Sequence, residues 1–296
     1  MALGDEVLHC SLRGFLFKNE KTDSQTRPVA VGDRVRISRQ DAEGAIEEVL
    51  PRHSELARVS TRAGKVQVLA ANVDLVLVVV SLHRPTLRPT LVDRLVVACE
   101  SEGLDVLIVL NKVDLCTAEE VEAFLAPYRG LGYATAEVSA IEGTNLGPVR
   151  AAMTDQVSLV LGHSGVGKSS LLNALDPDLR LRVGEVTRRE GKGRHTTTHS
   201  QLVKVAGAGY VVDGPGIREF GLTDIDPVDL AYGFREMRPH QGKCRFATCT
   251  HTHEPECSVK DAVEAGEISE ERYSSYCKLL EEREGGGERM PRHGSF

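Results

Sequence analysis

The sequence SLVLGHSGVGKSS, residues 158–170, decides the fold of this chain. An apolar strand ends at Leu161, a loop with the spacing GxxxxGKS follows, and a helix is predicted over Lys168–Leu175. In such a loop the glycines let backbone N–H groups surround a β-phosphate, and the helix start adds partial positive charge. Lys168 is expected to bind the β- and γ-phosphates and Ser169 to bind Mg²⁺. The predicted nucleotide ligands here are Gly162, His163, Ser164, Gly165, Val166, Gly167, Lys168, Ser169 and Ser170.

Two motifs before this loop indicate which base is bound. NKVD, from Asn111 to Asp114, follows the apolar strand Val106–Leu110, and ligands bind at the carboxyl ends of such strands. The Asp114 carboxylate accepts two N–H groups from the edge of guanine, whereas adenine offers no such pair. Ser139-Ala140, 25 residues after Asp114, resembles the box whose backbone N–H faces the guanine carbonyl in GTPases. The predicted base ligands are Asn111, Lys112, Val113, Asp114, Ser139 and Ala140.

Two later segments are expected to complete the phosphate site. DGPG, from Asp213 to Gly216, follows an apolar strand, so Asp213 can hold Mg²⁺ through water and Gly216 can donate its N–H to the γ-phosphate. A surface turn is the alternative interpretation of this motif. We predict Lys168, Asp213 and Gly216 as catalytic residues, together with one histidine described next.

The segment GKGRHTTTH, residues 191–199, lies between the phosphate loop and DGPG. One of Thr196, Thr197 or Thr198 is expected to complete the Mg²⁺ shell, and Thr196 and Thr197 are predicted nucleotide ligands. His195 stands beside them and is predicted to approach the γ-phosphate as a catalytic group. We assign no role beyond core or surface side chains to the scattered His83 and Cys116.

The order of these motifs is permuted. Ordinary GTPases begin with the phosphate loop, whereas here the base motifs come first and DGPG comes last. Alternating apolar strands and helices over 67–226 predict an α/β domain with a mainly parallel sheet covered on both faces. The fold prediction is therefore a circularly permuted P-loop GTPase domain over residues 67–226.

Two smaller regions flank this domain. Residues 1–66 contain short β-like runs and turns, which predict an OB-like β-barrel, although the abrupt start leaves little room for a first strand. Arg52 to Lys65 are interpreted as a connector. Residues 227–296 are predicted to form a zinc-binding helical domain with a helix over 270–283 and a disordered tail from 285.

Four residues of this last region form a compact set of soft metal ligands: Cys244, Cys249, His251 and Cys257, with the spacing C-x4-C-x-H-x5-C. Four ligands without an open position are typical of structural zinc, which would compensate for a small core. The alternatives are unliganded cysteines in a loop and His253 as the imidazole ligand. The expected cofactors are thus one structural Zn²⁺ and Mg²⁺ with GTP as the substrate.

This combination resembles the family of the bacterial ribosome small subunit-dependent GTPase A, called RsgA or YjeQ. The resemblance also rests on residues 31–35, 50–52, 71–74 and 216–220, and it departs at Gly214, where threonine is commoner. It implies an OB-fold barrel, a permuted G domain and a zinc domain that uses His251. It further implies GTP hydrolysis stimulated by the small ribosomal subunit during late maturation of that subunit.

The composition of the chain limits the kinds of partner that it can bind. The chain is 41% hydrophobic, has a net charge of −7 and contains no apolar run near the roughly 20 residues that span a bilayer. We expect a cytoplasmic monomer, without membrane contact, that binds the small ribosomal subunit and its rRNA. A basic, partly aromatic barrel face suits RNA. An alternative is a zinc-containing RNA-binding assembly factor that uses GTP only as a conformational ligand. Asn111 to Asp114 disfavour an ATP-dependent kinase.

Overall fold

The computed structural model of the 296-residue chain describes residues 2–3, 6–13, 29–40, 43–60, 65–181, 201–213 and 230–286. Several predicted site residues lie outside these ranges: His195, Thr196, Thr197, Thr198 and Gly216. Within them, no helix is both long and apolar enough to cross a bilayer.

Among the described residues, seven short strands precede the central sheet. They are β1 (Ala2–Leu3), β2 (Glu6–Val7), β3 (His9–Leu12), β4 (Val35–Gln40), β5 (Glu43–Val49), β6 (Glu55–Ser60) and β7 (Lys65–Ala71). They form separate small sheets: β1 with β2, β3 with β5 and β4, and β6 with β7. An isolated β-bridge between Val31 and Ala70 links the segment before β4 to strand β7. The described residues therefore contain no closed barrel, and the predicted OB-like barrel is not confirmed.

The predicted connector over residues 52–65 is wrong for Glu55–Ser60, which is strand β6 paired antiparallel to β7. The polar residues on both sides of this short run concealed the strand, although Leu56 is fully buried. Arg52 donates to Asp33 at 2.6 Å, and the backbone N–H of His53 donates to the Asn72 side chain at 3.1 Å. The predicted domain boundary at residue 66 consequently falls inside β7.

The central sheet has six strands. They are β8 (Leu75–Val80), β9 (Asp105–Asn111), β10 (Ala134–Val138), β11 (Val157–Leu161), β12 (Gln201–Lys204) and β13 (Tyr210–Asp213). Their spatial order is β10-β9-β8-β11-β13-β12, and only β12 runs antiparallel to its neighbour. All six residues of β8 are buried, as expected for a strand covered on both faces. The predicted, mainly parallel sheet is confirmed.

Four helices cover the two faces of this sheet. They are α1 (Pro89–Ser101), α2 (Ala118–Gly130), α3 (Leu146–Met153) and α4 (Lys168–Leu175). Side chains of α1 and α2 pack into one hydrophobic core, and those of α3 and α4 pack into a second core on the opposite face. The sequence analysis did not predict α3. Each core buries one face of the sheet, so the loops at the sheet's carboxyl edge rest on a rigid support.

The C-terminal region contains turns of 3-10 helix over Ala231–Gly233 and Arg235–His240, then α5 (Ser258–Glu264) and α6 (Glu270–Gly286). Helix α6 therefore includes residues 285 and 286, which the sequence assigned to a disordered tail. The core of this region includes Val97 and Ala98 from α1. The C-terminal domain and the central domain thus share one apolar interface.

Buried charges cross the same interface. Arg272 of α6 forms an ion pair with Asp93 of α1 and donates to Glu236 at 2.6 Å. Arg272 is 6% exposed and Asp93 is 2% exposed. The Tyr128 hydroxyl also donates to Asp93 at 3.0 Å. Removal of one member of such a network leaves a buried charge without compensation, so these contacts fix the C-terminal domain against α1.

Candidate nucleotide site and metal centre

The predicted nucleotide motifs meet at one edge of the central sheet. Asn111 ends β9, Ser139 follows β10, Gly162 follows β11 and Asp213 ends β13. These four strands are mutually parallel, so their carboxyl ends face the same side. Open α/β sheets bind ligands at this edge. The structure therefore brings Asn111, Ser139, Gly162 and Asp213 to the same edge of the sheet.

The phosphate loop bends tightly between β11 and α4. Gly167 has a φ of +97°, and a β-carbon there would lie 2.4 Å from the Asn111 side-chain nitrogen. The Lys168 ammonium donates to the carbonyl oxygens of Gly162 at 2.7 Å and His163 at 3.0 Å. This places its charge against the loop, where helix α4 also begins. Ser169, in the first turn of α4, is 5% exposed.

Asn111 joins the base motif to the two other loops. Its side-chain N–H donates to the Val166 carbonyl at 2.9 Å, and its side-chain oxygen accepts the Ala140 N–H at 3.0 Å. Asn111 is 1% exposed, so these bonds are made away from bulk water. Lys112 adds a bond from its ammonium to the Gly165 carbonyl at 2.6 Å. The base motif thus holds the phosphate loop in position.

The Asp114 carboxylate is oriented by its neighbour in the next loop. The hydroxyl of Ser139 donates to Asp114 at 2.6 Å, and Ser139 is fully buried. The same hydroxyl accepts the Glu142 N–H at 3.3 Å. A fixed carboxylate that accepts two parallel N–H groups is the acceptor that guanine requires.

Replacement of Gly167 by alanine should weaken guanine nucleotide binding about tenfold or more. The substitution forces a left-handed backbone on an L-residue, which costs roughly 1 to 2 kcal/mol. It also displaces Asn111 from its contact with Val166. Nucleotide affinity, measured by equilibrium titration, tests this. Gly147→Ala in α3 is the control, because its β-carbon would meet nothing within 4 Å and its φ is not positive. Equal affinities in the two variants would contradict the prediction.

The four predicted zinc ligands converge in the C-terminal domain. Their ligand atoms lie within 4.8 Å of one another. His251 Nδ1 is 3.4 Å from both Cys244 Sγ and Cys257 Sγ, and those two sulfurs are 3.9 Å apart. Tetrahedral zinc with ordinary bond lengths separates sulfur from nitrogen by about 3.6 Å and sulfur from sulfur by about 3.8 Å. The side chains are therefore spaced as zinc requires.

The surroundings orient the histidine of this cluster. His251 Nε2 lies 3.2 Å from the Gln241 side-chain oxygen, and a proton on Nε2 leaves the Nδ1 lone pair facing the sulfurs. Burial lowers the pKa of His251, which favours the neutral form that binds metal. The Tyr273 hydroxyl donates to the His251 carbonyl at 2.7 Å. His253 is instead exposed and lies outside the group.

The thiols of the cluster require a compensating cation to ionise together. Although burial opposes the shift, hydrogen bonds from Ser258 lower the pKa of Cys244. Burial, together with the neighbouring Cys257 and Cys244 thiols, raises the pKa of Cys249 to about 12, against the lowering effect of the hydrogen bond from the His251 N–H. A divalent ion removes this conflict because it binds thiolates directly. The donor set and its electrostatics both fit zinc.

Sequence reasoning missed contacts between residues far apart in the chain. The Asp93–Arg272 pair spans 179 positions, and no local motif marks either residue. His83, Cys116 and Glu120 also come together at the surface, although His83 and Cys116 were assigned no role. Only the folded arrangement reveals these groups.

The chain matches the model of the RsgA GTPase family over residues 49–223. It is 37% identical to the small ribosomal subunit biogenesis GTPase RsgA 2 of Bacteroides thetaiotaomicron, over 95% of this chain and 92% of that protein. It is 39% identical to the small ribosomal subunit biogenesis GTPase RsgA of Mannheimia succiniciproducens, over 94% of this chain and 78% of that protein.

Two solved structures are similar over nearly the whole chain. YjeQ from Thermotoga maritima has a TM-score of 0.76 and 36% identity, covering 93% of this chain and 90% of its own. The circularly permuted GTPase YloQ has a TM-score of 0.73 and 31% identity, covering 98% of this chain and 89% of its own. Together with the permuted motif order, these matches show that the chain belongs to the RsgA GTPase family and is a GTP-hydrolysing enzyme.

Proposed function

We propose that this protein binds Mg²⁺·GTP at the carboxyl edge of its central sheet and hydrolyses it during late maturation of the small ribosomal subunit. The observation that carries this proposal is the pair of hydrogen bonds made by the Asn111 side chain. They connect the phosphate loop to the Ser139-Ala140 loop. The names of the relatives from Bacteroides and Mannheimia support the assignment to small-subunit biogenesis.

The described residues support specific roles. Residues 162–170 would surround the phosphates, while Asp114 accepts from guanine and the Ala140 loop faces its carbonyl. Lys168, Ser169 and Asp213 line one cavity, which supports Ser169 as a Mg²⁺ ligand and Asp213 as the residue that holds the ion through water. Mg²⁺ would neutralise charge on the phosphates. These roles agree with the chemistry of other P-loop GTPases.

Hydrolysis needs a group that orients or activates water. The residue after Gly216 is Ile217, where many signalling GTPases place a glutamine. Isoleucine offers no hydrogen bond, so we assign the role to His195, ordered by contact with the small subunit. One of Thr196, Thr197 or Thr198 would complete the Mg²⁺ shell, and Gly216 would donate to the γ-phosphate.

The variant His195→Ala should bind GTP and small subunits normally but lose about a hundredfold of its subunit-stimulated turnover, the loss expected for a positioned acid–base or water-orienting group. Phosphate release under single-turnover conditions, with and without purified small subunits, measures this. His199→Ala, from the same segment, is the matched control and should retain stimulation. Stimulated turnover within about twofold of the unmodified enzyme would assign the role to another group.

The remaining parts of the chain would serve the ribosomal partner. We infer three domains, with an OB-like barrel before the G domain and a zinc-stabilised helical domain after it; the first boundary lies after the end of β7 at Ala71 rather than at residue 66, and the second near residue 226. OB barrels bind RNA through basic and aromatic side chains, so the barrel is assigned to rRNA. We further propose that the protein acts as a monomer in the cytoplasm, where small subunits mature.

The same single-turnover assay distinguishes hydrolysis from the alternative in which GTP is only a conformational ligand. Our proposal requires small subunits to accelerate phosphate release by the unmodified protein. Binding of GTP and subunits without any acceleration would favour the alternative.

A further inference from the structure

Three metal-ligating side chains converge beside the base motif, from separate segments of the chain. His83 lies in the loop after β8, Cys116 follows the turn of 3-10 helix Val113–Leu115, and Glu120 lies in the first turn of α2. Their ligand atoms lie within 4.8 Å of one another. This group is separate from the Cys244 cluster and takes no part in the proposed nucleotide site.

The Glu120 carboxylate is already oriented for a second partner. Its Oε2 accepts the Thr117 N–H at 2.9 Å, while Thr117 Oγ1 accepts the Glu120 N–H at 3.3 Å, which together form a capping box. Its Oε1 lies 3.2 Å from His83 Nε2. Two ligands of tetrahedral zinc with ordinary nitrogen and oxygen distances are about 3.3 to 3.4 Å apart. His83 and Glu120 therefore already have nearly the required separation.

The Cys116 sulfur needs only a small adjustment to join them. Its Sγ lies within 4.8 Å of the ligand atoms of His83 and Glu120. Zinc places sulfur about 3.6 Å from nitrogen, so the sulfur would have to move by no more than about 1 Å. The side chains of His83 and Glu120 are 45% and 44% exposed, so they can rotate without disturbing a core. Their exposure also leaves a fourth coordination position to water.

The donor set selects the class of ion. Thiolate, imidazole and carboxylate together suit Zn²⁺ and Co²⁺, whereas Mg²⁺ and Ca²⁺ prefer oxygen ligands throughout. Three protein ligands leave one position open to water, unlike the four-ligand cluster near the C-terminus, and exposed ligands hold the ion less firmly than a closed, buried set does.

The position of the group links it to guanine recognition. Cys116 lies two residues after Asp114, and its sulfur contacts the Lys112 carbonyl at 3.6 Å. The Lys112 ammonium in turn donates to the carbonyl of Arg84, the residue after His83. An ion held by His83 and Cys116 would therefore restrain both the loop that contains Arg84 and the base motif that contains Lys112.

We propose that His83, Cys116 and Glu120 bind an exchangeable zinc-class ion, and that this ion restrains the base motif and slows release of guanine nucleotide. A loop held in its binding conformation loses less entropy when the ligand binds, which favours the bound state. The metal site stands on its own geometry, whereas its effect on release rests on the proposed function of Asp114.

Cobalt titration of the full-length protein, in reducing buffer without nucleotide and with its C-terminal zinc retained, tests the site. A thiolate-to-cobalt charge-transfer absorption should accompany one additional bound ion. Cys116→Ser should abolish that absorption and weaken cobalt binding by more than roughly tenfold. Cys10→Ser, which removes a thiol of β3, is the matched control and should bind as the unmodified protein does.

Glu120→Gln provides a second variant whose fold is preserved, because glutamine also completes a capping box. It should retain the start of α2, seen in an unchanged thermal transition, and still weaken cobalt binding. Equal cobalt affinity in Cys116→Ser, Glu120→Gln and the unmodified protein would overturn the site.

Release of a fluorescent GDP analogue tests the second half of the proposal. Saturating cobalt should slow release from the unmodified protein by about fivefold or more, a typical coupling between linked sites, and should not affect Glu120→Gln. Identical rates with and without cobalt would overturn the coupling. A failure to bind guanine nucleotide at all would instead reject the proposed function, and the cobalt titration would still decide the metal site.

Discussion

The variant Asp114→Asn should lose GTP affinity by roughly 30- to 700-fold, or about 2 to 4 kcal/mol, because it loses a charge-assisted pair of hydrogen bonds to guanine. It should gain affinity for xanthosine triphosphate, whose edge carries a carbonyl in place of the guanine amino group. The asparagine oxygen can still accept from Ser139, so the loop should keep its shape. Competition titrations with both nucleotides measure the exchange of preference.

Glu119→Gln is the charge-matched control for this experiment, since Glu119 is exposed in α2 and lies outside the base motif. It should leave both affinities unchanged. If Asp114→Asn also binds GTP as the unmodified protein does, Asp114 does not read the base, and the assignment of the whole motif is wrong.

The variant Cys249→Ser should lose bound zinc and unfold the C-terminal domain. Structural zinc contributes about 10 to 16 kcal/mol of apparent binding free energy in small domains, and loss of one thiolate removes much of it. GTP binding should persist because the central sheet has two cores of its own. Thermal stability should fall, since Val97 and Ala98 of α1 pack in the C-terminal core.

Zinc analysis, circular dichroism and nucleotide titration of the same preparation measure these effects. His253→Ala is the matched control, because that exposed histidine lies near the cluster without belonging to it. Full zinc content and native helicity in Cys249→Ser, or no zinc in freshly purified unmodified protein, would refute the zinc assignment.

The central sheet was predictable because its strands are continuous apolar runs and its binding loops have fixed spacings. Leu75–Val80 is wholly buried, and the phosphate loop needs particular residues at particular intervals. The geometry of these loops follows from backbone requirements, so the sequence predicts where they meet the sheet.

Elements whose stability comes from distant contacts were not predictable. Strand β6 is a short run of mixed polar and apolar residues with a register shift after Leu56, and only its pairing with β7 identifies it. Helix α3 contains Gly147 and Pro148, which usually interrupt helices, but Pro148 lies in the first turn, where its missing N–H costs nothing. The OB-like barrel predicted for residues 1–66 is not confirmed, because the described part of that region forms separate small sheets and no closed barrel.

The Arg272–Asp93 contact links the abundance of the protein to the zinc supply of the cell. If the C-terminal domain unfolds, Asp93 of α1 is left without its cation, and Val97 and Ala98 lose their apolar cover. The G domain then keeps its nucleotide but presents an exposed hydrophobic patch, which promotes aggregation and recognition by chaperones and proteases. Zinc supply would thus set the abundance of this enzyme rather than its turnover.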